Sequence, residues 1–306
     1  GYHPVRIGDT FNRRYRVVSK LGWGFFSTVW LCSDLSGQRV AVKVLKSGAG
    51  FSQAGQDETA LLRCASGPAT RHPAIVQLLG EFKVIGVNGV ICLVLKLLGL
   101  DLRSWQLCCG NPRLPRPWVK QILSQVLRGL DHLHSRCKII HTDIKPENIL
   151  LCLKEVTVKI ADLGSSCWVR SRPGSIAPCR SCWVLSTARL PTSGQAFELV
   201  TGDSLFRPKA GEAVSLEEHI AQIVGLLGKI PPVVAFSGKY SADYFSRRDL
   251  LHVGPLRFWS LYDVLVEKYH FLLQEASGFS DFLSRMLDYH PERRATAAQC
   301  LQHAWL

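Results

Sequence analysis

The stretch from Ile139 to Leu151, IIHTDIKPENILL, restricts this chain more than any other feature. Two apolar runs enclose a compact polar cluster whose members carry complementary chemistry. Asp143 can accept a hydroxyl proton, Lys145 can neutralise a transferring phosphoryl group, and Asn148 can ligate a metal. A short way on, Val158-Lys159-Ile160-Ala161-Asp162-Leu163-Gly164 reads as a strand that gives way to a carboxylate and a flexible turn. Asp162 suits Mg²⁺ on nucleotide phosphates, because that ion takes one or two carboxylates and completes its shell with phosphate oxygens and water.

Two further stations lie upstream. Leu21-Gly22-Trp23-Gly24-Phe25-Phe26-Ser27-Thr28-Val29 sits between two strand candidates. Its glycines would let backbone N–H groups approach phosphates with no Cβ in the way. By itself the pattern reads equally well as an ordinary hairpin turn. Val40-Ala41-Val42-Lys43 follows, with a lysine on an apolar strand where burial would demand an anion. Glu58, on a helix-like stretch, is the natural partner; the alternative is a surface lysine whose stem lies along apolar neighbours. Four stations in this order favour one nucleotide site over four unrelated coincidences.

The surrounding pattern divides in two. Tyr15–Val18, Thr28–Leu31 and Val40–Val44 alternate at strand length, Gln56–Cys64 reads as helix, and strands resume at Ile75–Leu79 and Val90–Leu95. From Pro117 helical periodicity takes over: Ile122, Val126, Leu130 and Leu133 share one face, and Glu217–Leu227 and Ser280–Leu287 are further amphipathic stretches. The expected fold class is α+β, with a β-rich lobe over residues 1–96 and a mainly helical lobe over 97–306. With 47% apolar and 20% charged residues, the 306-residue chain can build a sizeable core and is not disordered. No apolar run reaches the ~18 residues of a spanning helix, so no membrane is expected. The formal charge of +13 is scattered, and no helix gathers it on one face, so no direct nucleic-acid partner is expected. Eleven cysteines without a secretion signal suggest free thiols in a reducing compartment. The one C-x-x-C, Cys179 to Cys182, has no second pair to complete a zinc site.

The sequence resembles the eukaryotic protein kinases, and among them the SRPK family, the serine/arginine-rich protein kinases that phosphorylate splicing factors. GYHPVRIGDTFNRRYRVVSKLGWGFFSTVWLC and IIHTDIKPENILL carry the likeness, supported by ADLGSSCWV, GKYSADYFSRR, LYDVLVEKY and PERRATAAQCLQHAWL. The resemblance implies a bilobal kinase fold, ATP and Mg²⁺ as cofactors, a monomer, and serine in Arg/Ser-rich splicing proteins as substrate. It also implies a part in regulating mRNA splicing at the spliceosome, with cytoplasmic and nuclear localisation. Leu21, Gly22, Gly24 and Val29 would cover the nucleotide, Ala41 and Leu150 would sandwich adenine, and backbone from Lys96 to Leu98 would meet its edge. Lys43 would join the phosphates to Glu58. Asp143 would be the catalytic base with Lys145 beside it, and Asn148 and Asp162 would hold magnesium. Asp203, Glu217 and Glu218 would dock substrate guanidinium groups, although Gly225 stands where the family has another acid. Leu163 in the D-x-G turn and Thr142 in place of arginine are family traits, and the latter implies activity without loop phosphorylation. The family's spacer between the lobes is missing, since Leu151 runs almost directly into Val158.

One segment breaks the pattern. Between Arg170 and Gln195 there is no acidic residue and no period. A kinase needs an ordered activation segment here, an A-P-E-like glutamate to pair with the arginine at Arg294, and an aspartate that anchors the loop around His141. One permitted back-translation of Arg172 to Gly194, read from its third base, encodes TRQYRAVQVLLGAEYGPPADIW, which closely resembles the family's activation segment. We read the segment as translated out of frame. It is expected to be irregular and exposed, to leave Arg294 unpartnered, and to make Cys179 and Cys182 accidental. The alternative function is then a nucleotide-binding pseudokinase or docking scaffold with little phosphotransfer.

Overall fold

The computed structural model describes residues 1–48, 51–84, 89–110, 113–152, 155–169, 190–206, 216–236, 245 and 258–306. Its fold class is the expected α+β, with a β-sheet lobe and a helical lobe. By packing, the chain divides into two compact units, 1–105 with 128–169, and 106–127 with 170–306.

In the first unit, six strands form one antiparallel sheet in the order β1-β2-β3-β4-β6-β5. They are β1 (Thr10–Phe11), β2 (Tyr15–Trp23), β3 (Ser27–Ser33), β4 (Arg39–Leu45), β5 (Leu78–Val84) and β6 (Val90–Lys96). Val17, Cys32, Val40, Val42, Val44, Cys92 and Val94 form a closed apolar layer, because alternate residues of adjacent strands share one face. The expected strand at Ile75–Leu79 begins later. Ile75 makes only an isolated parallel bridge to Ile160, and the ladder starts at Leu78.

Helix α1 (Ser52–Ser66) carries Leu61, Leu62 and Ala65 into a second core with Leu93, Leu133, Ile139 and Leu163. This core places α1 against the turn after Asp162, so the face that buries its leucines also aims Glu58 inward. Three short strand pieces follow α2 (Leu102–Cys108) and α3 (Arg116–His132): β7 (Ile139–Ile140), β8 (Ile149–Cys152) and β9 (Glu155–Ile160). Strands β8 and β9 pair as an antiparallel hairpin, with Ile149 opposite Ile160 and Leu150 opposite Lys159. Strand β10 (Cys167–Trp168) pairs with β7. The predicted face of α3 is confirmed: Ile122, Val126, Leu130 and Leu133 are all buried. Gly129 on that helix sits close to its neighbours, since a Cβ there would come within 2.9 Å of Ile160 Cδ1 and 3.3 Å of the Ala74 carbonyl oxygen.

In the second unit, α4 (Leu190–Thr201), α5 (Leu216–Leu227), α6 (Pro232–Ala235), α7 (Leu273–Leu287) and α8 (Ala297–Leu301) supply the structure. Phe279 and Phe282 of α7 pack on Trp305 with ring centres 4.5 and 5.0 Å apart. Helix α4 corrects one expectation. The end of the segment thought to be irregular and exposed is helical from Leu190, and Ser193 is fully buried. The family-like residues Ala196, Phe197 and Leu199 bury one face and draw the preceding turn into the same helix. Residues 170–189, with Cys179 and Cys182, lie outside the described residues, as does most of GKYSADYFSRR.

Arg294 corrects a second expectation. Its buried guanidinium donates to the carbonyls of Asp288, at 2.5 Å, and Tyr289, at 3.5 Å. Both of these acceptors are backbone oxygens of its own loop.

Candidate active site

Strand β4 delivers Lys43 and α1 delivers Glu58. Lys43 is buried between Val42 and Val44, and its Nζ lies 2.5 Å from Glu58 Oε1. The same Nζ donates to Asp162 Oδ1 at 2.8 Å. Burial works against the ammonium, yet the two carboxylates outweigh it and hold Lys43 above the usual lysine range. Burial likewise works against the Asp162 carboxylate, but Lys43 and the Gly164 N–H hold its pKa below the usual range. Lys43 and Asp162 are therefore held in their charged forms, whereas burial raises the Glu58 carboxyl above its usual range against the pull of Lys43. Gly164 makes room for them, since a Cβ there would lie 3.1 Å from Glu58 Oε2 and 3.2 Å from Asp162 Oδ1.

The polar cluster of the β7–β8 connection folds onto itself beside this triad. Asp143 Oδ2 accepts from Lys145 Nζ at 2.8 Å and from Asn148 Nδ2 at 3.1 Å. Asn148 Nδ2 also donates to the Asp143 carbonyl, and the Ala161 N–H donates to the Asn148 carbonyl at 2.8 Å. Among the described residues no hydrogen bond is made to Asp143 Oδ1, which leaves it as the acceptor for an incoming hydroxyl. The amide of Asn148 spends its nitrogen on Asp143 and keeps its oxygen for another partner. With the second oxygen of Asp162, that makes a hard, all-oxygen donor pair, which fits Mg²⁺ completed by phosphate oxygens and water.

His141 is fully buried and supports the cluster from below. Its Nε2 bonds the Ala161 carbonyl at 2.9 Å, and its Nδ1 faces the Asp143 N–H at 3.4 Å. Burial pushes this imidazole below the usual histidine range, so it is neutral, with Nε2–H donating and Nδ1 accepting.

Sequence reasoning missed how the loop is tied to the turn after Asp162. Thr142 donates through Oγ1 to the Ser165 carbonyl at 2.6 Å, and Ser166 Oγ donates to the His141 carbonyl at 3.2 Å. The Val169 N–H reaches the Lys138 carbonyl at 2.7 Å. Thr142 and Asp162 have φ of 61° and 58°, left-handed values that non-glycine residues adopt at some cost. Only the serines after D-L-G hinted at these bonds.

The residues expected around the nucleotide take the following positions in the structure. Gly22 pairs with Val29 across β2 and β3, and Gly24 donates to the Ser27 carbonyl at 2.9 Å. Leu21 is exposed, and a Cβ at Gly22 or Gly24 would meet nothing within 4 Å. Ala41 lies opposite Leu95 on the sheet, Leu150 bridges Asp101, and Leu98 packs on the core around Leu93.

The acids expected to dock substrate belong to the second unit. Asp203 Oδ2 accepts from Tyr269 Oη at 2.7 Å and from Lys268 Nζ at 3.2 Å, so part of its carboxylate is already engaged. Glu217 and Glu218 sit on the first turn of α5, and their side chains lie outside the described residues. At Gly225 the carbonyl accepts from the Trp259 N–H at 2.8 Å. Among the described residues no group of three or more metal-ligating side chains forms, and no helix is long and apolar enough to cross a membrane.

Comparison with known proteins agrees with this geometry. The protein kinase domain family matches residues 15–186. SRSF protein kinase 3 of Homo sapiens is 33% identical over 501 aligned residues, taking in 100% of this chain and 88% of that protein. Serine/threonine-protein kinase SRPK of Physarum polycephalum is 35% identical over 380 residues, covering 100% and 89%. Protein kinase dsk1 of Schizosaccharomyces pombe is 31% identical over 458 residues, covering 100% and 83%. Each alignment is longer than the chain itself, so these relatives carry residues between segments that are contiguous here.

Proposed function

The chain belongs to the SRPK family of serine/threonine protein kinases, and from that premise we propose that it uses Mg-ATP to phosphorylate serine in Arg/Ser-rich splicing proteins. The observation that carries this reading is the meeting of Lys43 with both Glu58 and Asp162 beside the Asp143–Lys145–Asn148 cluster. In phosphoryl transfer the protein contributes mainly positioning and charge, and the lysine–glutamate pair together with the metal-holding aspartate must be in place. Asn148 and Asp162 would hold magnesium, which supplies charge neutralisation between the phosphates when bound. Asp143 presents Oδ1 to the substrate hydroxyl and takes its proton, while Lys145 faces the transferring group. The substrate class rests on the printed names of the relatives, and Asp203, Glu217 and Glu218 are our candidates for reading its arginines. Like the resemblance, the proposal places the protein in the cytoplasm and nucleus.

A second reading, nucleotide binding with little transfer, is favoured by one observation: residues 172–194 carry no acidic side chain where peptide presentation needs one. One experiment separates the two. The thermal midpoint is followed with Mg-ATP, and a radiolabelled transfer assay is run on an Arg/Ser peptide. A shift with transfer supports the kinase. A shift without transfer supports the scaffold, and no shift defeats both.

A further inference from the structure

Lys46 lies three residues beyond Lys43, and no carboxylate among the described residues is within ion-pair distance of it. Instead three rings surround its ammonium. Nζ is 4.3 Å from the ring centre of Tyr2, 4.7 Å from that of Phe25 and 5.1 Å from that of Phe51. Phe25 belongs to the glycine loop, Phe51 precedes the first turn of α1, and Tyr2 belongs to the N-terminal segment. Phe26 completes the box, edge-on to Phe25 at 4.8 Å and 6.2 Å from Phe51. The backbone closes it as well: the Lys46 N–H donates to the Phe26 carbonyl at 2.8 Å, and Tyr2 Oη donates to the Gly24 carbonyl at 2.8 Å. A cavity of about 80 Å³ runs from this box to Lys43, Glu58 and Asp162.

We propose that Lys46 is a positioning residue whose cation–π contacts latch the glycine loop to the start of α1, so that loop closure over the phosphates and the inward setting of Glu58 move together. The charge matters because the rings are exposed: Phe25 is 67% and Phe26 50% accessible. Apolar packing alone holds exposed rings weakly, whereas an ammonium over ring faces adds attraction that water does not cancel. The inference deepens the kinase reading and rests on it only for the phosphate arm of its test.

The test compares wild type with K46M, which keeps the stem and removes the charge, and with K46R, which restores it. Amide hydrogen exchange of the unliganded protein is read over residues 22–28 and 51–58. K46M should raise exchange in both segments together by roughly five-fold, the size expected from about two such contacts at exposed sites, and K46R should restore it. ADP affinity should fall by a similar factor while adenosine affinity holds, because adenosine touches neither box nor phosphate site. Y2L should raise exchange in the same way, and K46M/Y2L should be no worse than K46M. Unchanged exchange in K46M, or a rise in the loop alone, overturns the latch even if nucleotide binds normally. Absence of ADP binding by wild type, with the exchange pattern as expected, counts against the kinase reading and leaves the latch standing.

Discussion

Lys43 and Asp162 are 119 positions apart in the chain, and their side chains meet at 2.8 Å. The contact joins the lysine of β4 to the carboxylate that follows β9. Glu58 reaches the same ammonium from α1. Three elements thus share one buried charge.

Removing Lys43 alone should be severe for stability as well as function. K43M would leave Glu58, which is 4% exposed, as a buried carboxylate without its cation. Breaking a buried pair in this way costs about 3–5 kcal/mol. K43M/E58Q should recover much of that loss while nucleotide affinity stays low. Urea unfolding of both variants checks it; equal stability of single and double variants would show that the pair is not coupled.

Asp143 is engaged on one oxygen and open on the other. D143N should lower phosphotransfer by about 10²–10⁴-fold, the range for removing a positioned base, with ADP affinity and unfolding midpoint close to wild type. An equal drop in ADP affinity would place Asp143 in binding and remove it from proton transfer.

Gly164 is enclosed by the two carboxylates on either side of Lys43. G164A would push Glu58 and Asp162 apart by a few tenths of an ångström, since the added Cβ would stand 3.1 and 3.2 Å from their oxygens. We expect a loss of about 1–3 kcal/mol, as for overpacking in a close-packed site. Thermal unfolding without ligand measures it, and an unchanged midpoint would refute the crowding.

A buried histidine, His141, and a half-buried one, His72, make stability depend on mild acid. His141 and His72 both have pKa values below the ordinary 6.5 because burial disfavours the imidazolium. The unfolded chain takes up protons there that the folded one refuses. Their contribution is fully present above pH about 6.5 and is lost as pH falls below it towards the depressed folded values. The urea midpoint should therefore drop between pH 7.5 and 5.5, and H141Q should flatten that slope. A slope unchanged in H141Q would remove His141 from the account.

The shifted segment makes a genetic prediction. Sequencing the transcript across the codons for residues 172–194 should show an offset frame encoding TRQYRAVQVLLGAEYGPPADIW. An uninterrupted read that encodes the printed residues, without those codons in the alternative frame, would defeat it. A protein carrying the restored segment should phosphorylate an Arg/Ser peptide faster than this chain by at least about ten-fold, given what ordering of that segment contributes to kinases.

The chemistry of the site was legible in the amino-acid order because its groups are dictated locally. A polar cluster between Ile140 and Ile149, a lysine inside Val42–Val44 and a carboxylate ending Val158–Ala161 each make sense within a single strand or turn. Burial periodicity placed α3 and its Leu130 face for the same reason: a helix repeats its environment every 3.6 residues. Long-range acceptors have no such local signature. Only tertiary packing decided that Tyr269 and Lys268 occupy part of Asp203, that Thr142 reaches Ser165, and that Lys46 settles among the rings of Tyr2, Phe25 and Phe51. Hydrogen bonds and ring contacts of this kind form between whichever groups the folded core brings within reach, and one-dimensional spacing does not record that.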